Sequence, residues 1–312
     1  MRLINSATLA LEEFMGQEIP EKFAILSHTW VTGQEVSYKE YLEGAHRDKS
    51  GYTKIVKACG LAKEQGIQYV WVDTCCIDKS SSAELSEAIN SMYKWYEQSE
   101  VCYAFLSDLP RHGDLDYWLP RCRWFERGWT LQELIAPSYV IFFDAGYSIR
   151  GTKDSLQQIL SEITNIDVDV LKGVRPISSY CIAAKMSWAH RRKTTRTEDI
   201  AYCLLGIFGL NMPLLYGEGK KAFRRLQEEL IRTSVDMSIF AWCMPRPTGH
   251  NRLVIHPESS EKDIKSAVML CGMLAESPSD KISTLEFACV KLATGSFCEK
   301  NPGLCRLLTS TC

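Results

Sequence analysis

Tyr52-Thr-Lys-Ile-Val-Lys-Ala-Cys-Gly-Leu-Ala-Lys-Glu-Gln65, a glycine at 66, and then Tyr69-Val-Trp-Val-Asp73 set the pattern of this chain. Ile55, Val56, Cys59 and Ala62 recur at helical spacing, and Gly66 is a helix stop. Tyr69–Asp73 is crowded with β-branched and aromatic residues, which predicts a strand. The alternation extends outward in both directions. Phe23-Ala-Ile-Leu-Ser27 reads as a buried strand, Val101-Cys-Tyr-Ala-Phe-Leu106 as another, and Tyr139-Val-Ile-Phe-Phe143 as a fourth. Between them, Ser81-Ser-Ala-Glu84 is a capping box that opens a helix with Leu85, Ile89, Met92 and Tyr96 on one stripe. Trp129–Ile135 is a short helix stopped near Pro137. Such alternation predicts an α/β fold with a mostly parallel sheet flanked by helices. Ligands bind these sheets at the C-terminal strand ends, which directs attention to Ser27–Trp30, Asp73–Asp78 and Ser107-Asp108.

From Gly151 the pattern turns helical. Leu156, Ile159, Leu160 and Ile163 suggest one helix, and Gly219 precedes another with Ala222, Phe223, Leu226 and Leu230 on one face. Thr195-Arg-Thr-Glu198 is a second capping box, expected to open a helix over Asp199–Phe208, so losing Thr195 should cost roughly 0.5–2 kcal/mol. The expected organisation is an α/β core over 1–150, a helical subdomain over 151–245, and a poorly periodic tail over 246–312.

Composition narrows the function classes. With 312 residues, 46% of them hydrophobic, the chain can bury a large core. A net charge of −2, with Lys and Arg spread along the chain, gives no basic stripe for nucleic acid. The thirteen cysteines include no Cys-x-x-Cys pair, and the N-terminus carries no secretory apolar run. Buried reduced thiols in a cytoplasmic protein are therefore expected, with no metal. The apolar stretch Ala201–Tyr216 is interrupted by Gly206, Gly209, Asn211 and Pro213, too broken for a membrane span.

Taken in order, five blocks carry a resemblance: Met1-Arg-Leu-Ile-Asn5, Ala24-Ile-Leu-Ser-His-Thr-Trp30, Tyr69-Val-Trp-Val-Asp-Thr-Cys-Cys-Ile-Asp78, Ala88-Ile-Asn-Ser-Met92 and Arg127-Gly-Trp-Thr-Leu-Gln-Glu-Leu134. They resemble the fungal HET (heterokaryon incompatibility) domain, and Thr195–Phe208 with Pro213–Gly219 resembles its usual continuation, so that residues 1–245 are covered. The resemblance implies an effector of non-self recognition that triggers programmed cell death. In that family the domain is often the effector arm of a larger protein with a nucleotide-binding switch and repeats. The sequence has no Gly-x-x-x-x-Gly-Lys-[Ser/Thr] and no repeat array, so it resembles the effector arm alone. The implied partners are further copies of itself, NLR-type proteins or other members of the same pathway. HET domains resemble Toll/interleukin-receptor (TIR) domains more distantly, which implies a TIR/flavodoxin-like sheet. Trp129-Thr-Leu-Gln-Glu133-Leu134 is similar to the TIR pattern Trp-Cys-x-x-Glu-Leu, with Thr130 in place of the usual Cys. In TIR domains with enzymatic activity that glutamate cleaves NAD, so the resemblance implies Glu133 as the catalytic group and NAD as a substrate, with no cofactor.

The residues make that chemistry plausible on their own terms. Nicotinamide leaves NAD already carrying a positive charge, so no general acid is needed, and a carboxylate near the ribose stabilises the developing cation. Glu133 fits that role. Trp129, one helical turn earlier, could pack on a base or on nicotinamide, and Arg127 could grip a phosphate as a planar fork. The plainer alternative is that Trp129 and Leu134 anchor the helix while Arg127 and Glu133 pair. Ser27 could bond a ribose or phosphate oxygen; His28 is a base or a structural hydrogen-bonder; Trp30 is a ligand platform or, more plainly, core. Asp73 either joins Glu133 in a carboxylate pair or caps its own loop. No Gly-x-Gly-x-x-Gly follows a strand and no Gly-x-Ser-x-Gly elbow is present, which argues against a Rossmann dehydrogenase and an α/β-hydrolase.

Overall fold

The computed structural model describes residues 1–44 and 47–240, together with Pro278; the expected tail over 246–312 otherwise lies outside the described residues. In chain order the elements are β1 (Arg2–Asn5), β2 (Leu11–Glu13), β3 (Ala24–His28), α1 (Tyr38–Glu43), α2 (Ser50–Glu64), β4 (Tyr69–Trp71), α3 (Ser82–Gln98), β5 (Val101–Phe105), α4 (Leu115–Trp118), α5 (Thr130–Ile135), β6 (Val140–Phe143) and β7 (Ile149–Thr152). Then follow α6 (Gln157–Thr164), α7 (Val168–Leu171), α8 (Ile182–Trp188), α9 (Asp199–Tyr202), α10 (Leu205–Phe208) and α11 (Lys221–Thr233).

The strands form one sheet in the order β2-β1-β4-β3-β5-β6-β7. β4, β3, β5 and β6 are mutually parallel, and β1, β2 and β7 add antiparallel edges. The fold is thus mixed α/β with a mostly parallel central sheet flanked by helices, and the four expected strands are the parallel ones. Every residue of β3, β5 and β6 is buried, the behaviour of parallel strands covered on both faces. The order of the parallel strands reverses between β3 and β5, which makes their C-terminal ends the switch point at which sheets of this kind hold ligands.

The antiparallel edges were not foreseen. β1 finds its partner β4 some sixty residues downstream (Ile4 opposite Val70), a long-range choice that a four-residue run does not announce. β7 reads Ile-Arg-Gly-Thr, and its register against β6 is irregular at Phe142/Phe143. α2 ends as expected, with Gly66 in the left-handed region (φ +72).

Two compact units emerge, one of Met1–Arg175 with Cys203–Leu214, the other of Pro176–Tyr202 with the chain from Leu215. In the first, Gly206 on α10 lies so close to α3 that an added Cβ would overlap Tyr93 Cβ. Gly206→Ala is therefore expected to destabilise by about 1–3 kcal/mol, read as a lower denaturant midpoint with unchanged slope.

In the second unit, the apolar face of α11 (Ala222, Phe223, Leu226, Leu230) is buried as expected, and α11 packs on α9. The backbone N–H groups of Ile182 and Ala183, at the start of α8, donate to Asp236 Oδ2 (2.6 Å) and Ser238 Oγ (3.0 Å). The second capping box does not form. Glu198 Oε1 accepts the backbone N–H groups of Gly217 (2.8 Å) and Gly219 (3.0 Å), fixing the loop before α11, and the expected single helix is split into α9 and α10. Thr195 is exposed, so Thr195→Ala should change stability by no more than about 0.5 kcal/mol, measured by thermal melting. The first box is half made. Ser81 accepts the Glu84 amide, but the Glu84 carboxylate is taken by the Arg2 fork and the Asp78 amide (2.7 Å).

Among the described residues no helix is long and apolar enough to cross a membrane, and no cluster of three or more His, Cys, Asp or Glu side chains is arranged to hold a metal. Cys59, Cys75, Cys76, Cys102, Cys122 and Cys203 are buried thiols outside any disulfide. Burial pushes Cys59 and Cys122 up to about 12, which suits inert packing.

Candidate functional site

Three loops converge at the C-terminal ends of β3, β4 and β5, and successive residues of β3 point to opposite faces of the sheet. Ser27 faces α5. It is 0% exposed, and its hydroxyl accepts the Trp124 indole N–H (2.8 Å) and donates to Glu133 Oε2. The direction is forced: an indole N–H only donates, so the single Ser27 proton is left for the carboxylate. The chain Trp124→Ser27→Glu133 therefore polarises toward Glu133. Burial first, and then the charge of Glu133, push the Tyr96 hydroxyl well above its ordinary range.

Local sequence explains how Glu133 is held. Trp124 lies in a short 3-10 turn, Arg123–Glu126, edge-on to Phe125 and Phe142. The Thr130 hydroxyl lies against the carbonyls of Trp124 and Arg127 (2.9 Å to the latter) and so ties that turn to the start of α5. A thiol there would do so more weakly, which gives the Thr130 departure from the TIR pattern a physical role. At the other end of α5, the Lys153 ammonium donates to the carbonyls of Leu134 (3.3 Å), Ile135 (3.4 Å) and Pro137. Burial pulls its pKa down to about 8, against three carbonyls that favour the charged form.

His28 faces α2. Lys54 is 4% exposed and spends its three protons on His28 Nδ1 (3.2 Å), the Thr29 carbonyl (3.0 Å) and Glu35 Oε1 (2.5 Å). An ammonium only donates, so His28 Nδ1 faces Lys54 as an acceptor, leaving Nε2–H to donate to Asp73 Oδ1 (3.0 Å). Trp30 Nε1 donates to Asp73 Oδ2 (3.0 Å). Burial alone would raise the Asp73 pKa. The His28 hydrogen bond and the positive charges of Lys79 and Arg127 outweigh it and hold the carboxyl well below the usual range.

Beyond Asp73 the site opens to solvent. Trp30 is 38% exposed, with Lys79 Nζ 3.8 Å and Arg127 Cζ 5.0 Å from its ring centroid. Thr29 and Ser107 meet across the β3 and β5 ends (3.3 Å).

The expected site residues thus divide. Ser27 and Glu133 come together, as do Trp30, Asp73 and Arg127. Two expectations need correction. Ser27 is enclosed, with both its roles spent inside the fold, so it meets Glu133 rather than solvent. Trp30 is at the rim rather than in the core, because it follows the strand end and its indole N–H has a carboxylate to reach. Asp73 braces His28 and Trp30, a structural role achieved through neighbouring side chains. Trp129 is half-buried at the N-terminal end of α5, while the tryptophan joined to the Glu133 network is Trp124. Lys54, Glu35, Tyr96, Trp124 and Lys79 were not anticipated. Lys54 alone had a signal: it falls on the buried stripe of α2 with Gly51, Ile55, Ala58 and Ala62.

The family model for heterokaryon incompatibility protein (HET) matches residues 23–116, which run from β3 to the first turn of α4 and include Ser27, His28, Trp30, Lys54, Asp73 and Lys79. A domain of unknown function (DUF8212) matches residues 221–286, beginning at α11. The chain is 46% identical over 217 residues to the vegetative incompatibility protein HET-E-1 of Podospora anserina, a match that covers 67% of this chain and 16% of that relative. No solved structure matches. With the HET match seated on the strand ends and the relative sharing nearly half its residues along the aligned stretch, the chain is a heterokaryon-incompatibility (HET) domain protein.

Proposed function

We propose that this chain is a cytoplasmic effector of heterokaryon (vegetative) incompatibility that triggers programmed cell death in non-self recognition, acting by NAD hydrolysis after self-association. The incompatibility role is supported by the likeness to HET-E-1. Hydrolysis is supported by one observation: a carboxylate, Glu133, with a hydroxyl donor aimed at it, sits at the strand ends where the parallel order reverses. Numbered among themselves the parallel strands run 2-1-3-4, the order of flavodoxin-like sheets, whose ligands sit at that switch point. Glu133 would stabilise the ribosyl cation as nicotinamide leaves, and the Trp30 and Arg127 rim would receive the rest of the dinucleotide.

At 7% exposure, Glu133 is covered at rest. Turnover then requires α5 or the rim to shift, and self-association is the step that shifts it. The same burial favours a second reading, a non-enzymatic adaptor in which Glu133 only braces α5. Cellular NAD separates the two. When the chain is expressed in fungal cells, NAD content should collapse before viability does; cells that die with NAD intact would leave the adaptor reading standing.

A further inference from the structure

We propose that Trp30, Lys79 and Arg127 form a binding site for a nucleotide diphosphate, with the two cations gripping the phosphates and the indole receiving the base. The inference rests on the nucleotide reading of these strand ends and adds Lys79 and a defined ligand class to it.

Three different strand-end loops bring these side chains together: Trp30 follows β3, Lys79 follows β4, and Arg127 precedes α5. The ring is set before any ligand arrives, because Asp73 holds the indole N–H at 3.0 Å while leaving the ring partly exposed. Such a preset aromatic surface binds at low entropic cost. Lys79 and Arg127 both lie over that one ring, 3.8 and 5.0 Å from its centroid. Both also lie within the field of the Asp73 carboxylate, and a bridging diphosphate adds further negative oxygens for the two cations to share.

The resting contact is also displaceable. A cation over an exposed ring is held more weakly than a charge-assisted hydrogen bond to a phosphate oxygen. A diphosphate therefore draws the flexible, exposed Lys79 off the indole and uncovers the face on which a base stacks. Arg127 supplies a planar fork and Lys79 a mobile point charge.

Isothermal titration of the full chain with ADP, inorganic pyrophosphate and adenosine tests this without any turnover. ADP should bind most tightly. Pyrophosphate should bind more weakly for want of the base, and adenosine weakest for want of the charge. Lys79→Ala and Arg127→Ala should each weaken ADP about tenfold, a loss of about 1.4 kcal/mol. Lys79→Arg should restore most of the affinity, and Trp30→Ala should weaken ADP but not pyrophosphate. Because Lys79 is exposed, its variants should melt with the parent, which separates a lost ligand contact from a lost fold. ADP affinity unchanged in Lys79→Ala, or adenosine binding as tightly as ADP, would overturn the proposal. A chain that binds ADP through Lys79 yet leaves NAD intact supports the clamp and refutes only the hydrolase reading. NAD hydrolysis at parental KM in Lys79→Ala refutes the clamp and spares the hydrolase.

Discussion

Glu133→Gln is expected to abolish NAD loss and cell killing, and to lower the melting temperature moderately. The loss of activity follows from the role of the carboxylate. It stabilises a cation present only near the transition state, so its removal should cut turnover by about 10²–10³ with little change in substrate affinity. The stability cost follows from burial. Ser27 donates its one proton to Glu133, and an amide accepts that bond as a neutral group, with a new donor beside it that needs a partner. About 1–3 kcal/mol is the expected price of that exchange. In an open cleft the same exchange would leave the melting temperature nearly unmoved. A Gln variant that kills as well as the parent would remove the enzymatic reading. One that fails to fold would make Glu133 a structural brace.

Lys54→Met should be the most destabilising single change, at about 3–5 kcal/mol. Lys54 is the buried cation between Glu35, His28 and the Thr29 carbonyl. Methionine preserves the volume but removes the counter-ion of the Glu35 carboxylate, leaving Oε1 with the Val31 N–H (2.8 Å) and Oε2 with no hydrogen-bond partner. Removing one member of a buried pair costs far more than replacing both. The double variant Lys54→Met/Glu35→Gln should therefore recover much of the loss, and a thermodynamic cycle on chemical denaturation measures the coupling. Equal destabilisation in the single and double variants would show that Lys54 matters for packing alone.

What could be read from the sequence was what local pattern encodes. β3, β5 and β6 are continuous apolar runs because both faces of each strand are covered, and α2 ends at a glycine that adopts a left-handed conformation. What could not be read was what depends on distant partners. Glu133 was singled out, but its donor Ser27 lies 106 residues away and Trp124 joins them only once the 3-10 turn is folded. β1 needed β4 to become a strand. The Thr195 and Glu198 pair has the spelling of a capping box, yet the Gly217 and Gly219 amides compete for the carboxylate and win it. Trp30 looked like core because tryptophan usually is, and only the position of Asp73 shows why it stays at the rim.

Nicotinamide release from NAD by the purified chain, with and without fusion to a self-assembling scaffold, decides whether the Glu133 network is a catalytic site. The assembled parent should release nicotinamide at a rate that the unassembled parent does not reach, and assembled Glu133→Gln should release none above background. Release that is absent from the assembled parent, or equal in parent and Gln variant, would contradict catalysis by Glu133.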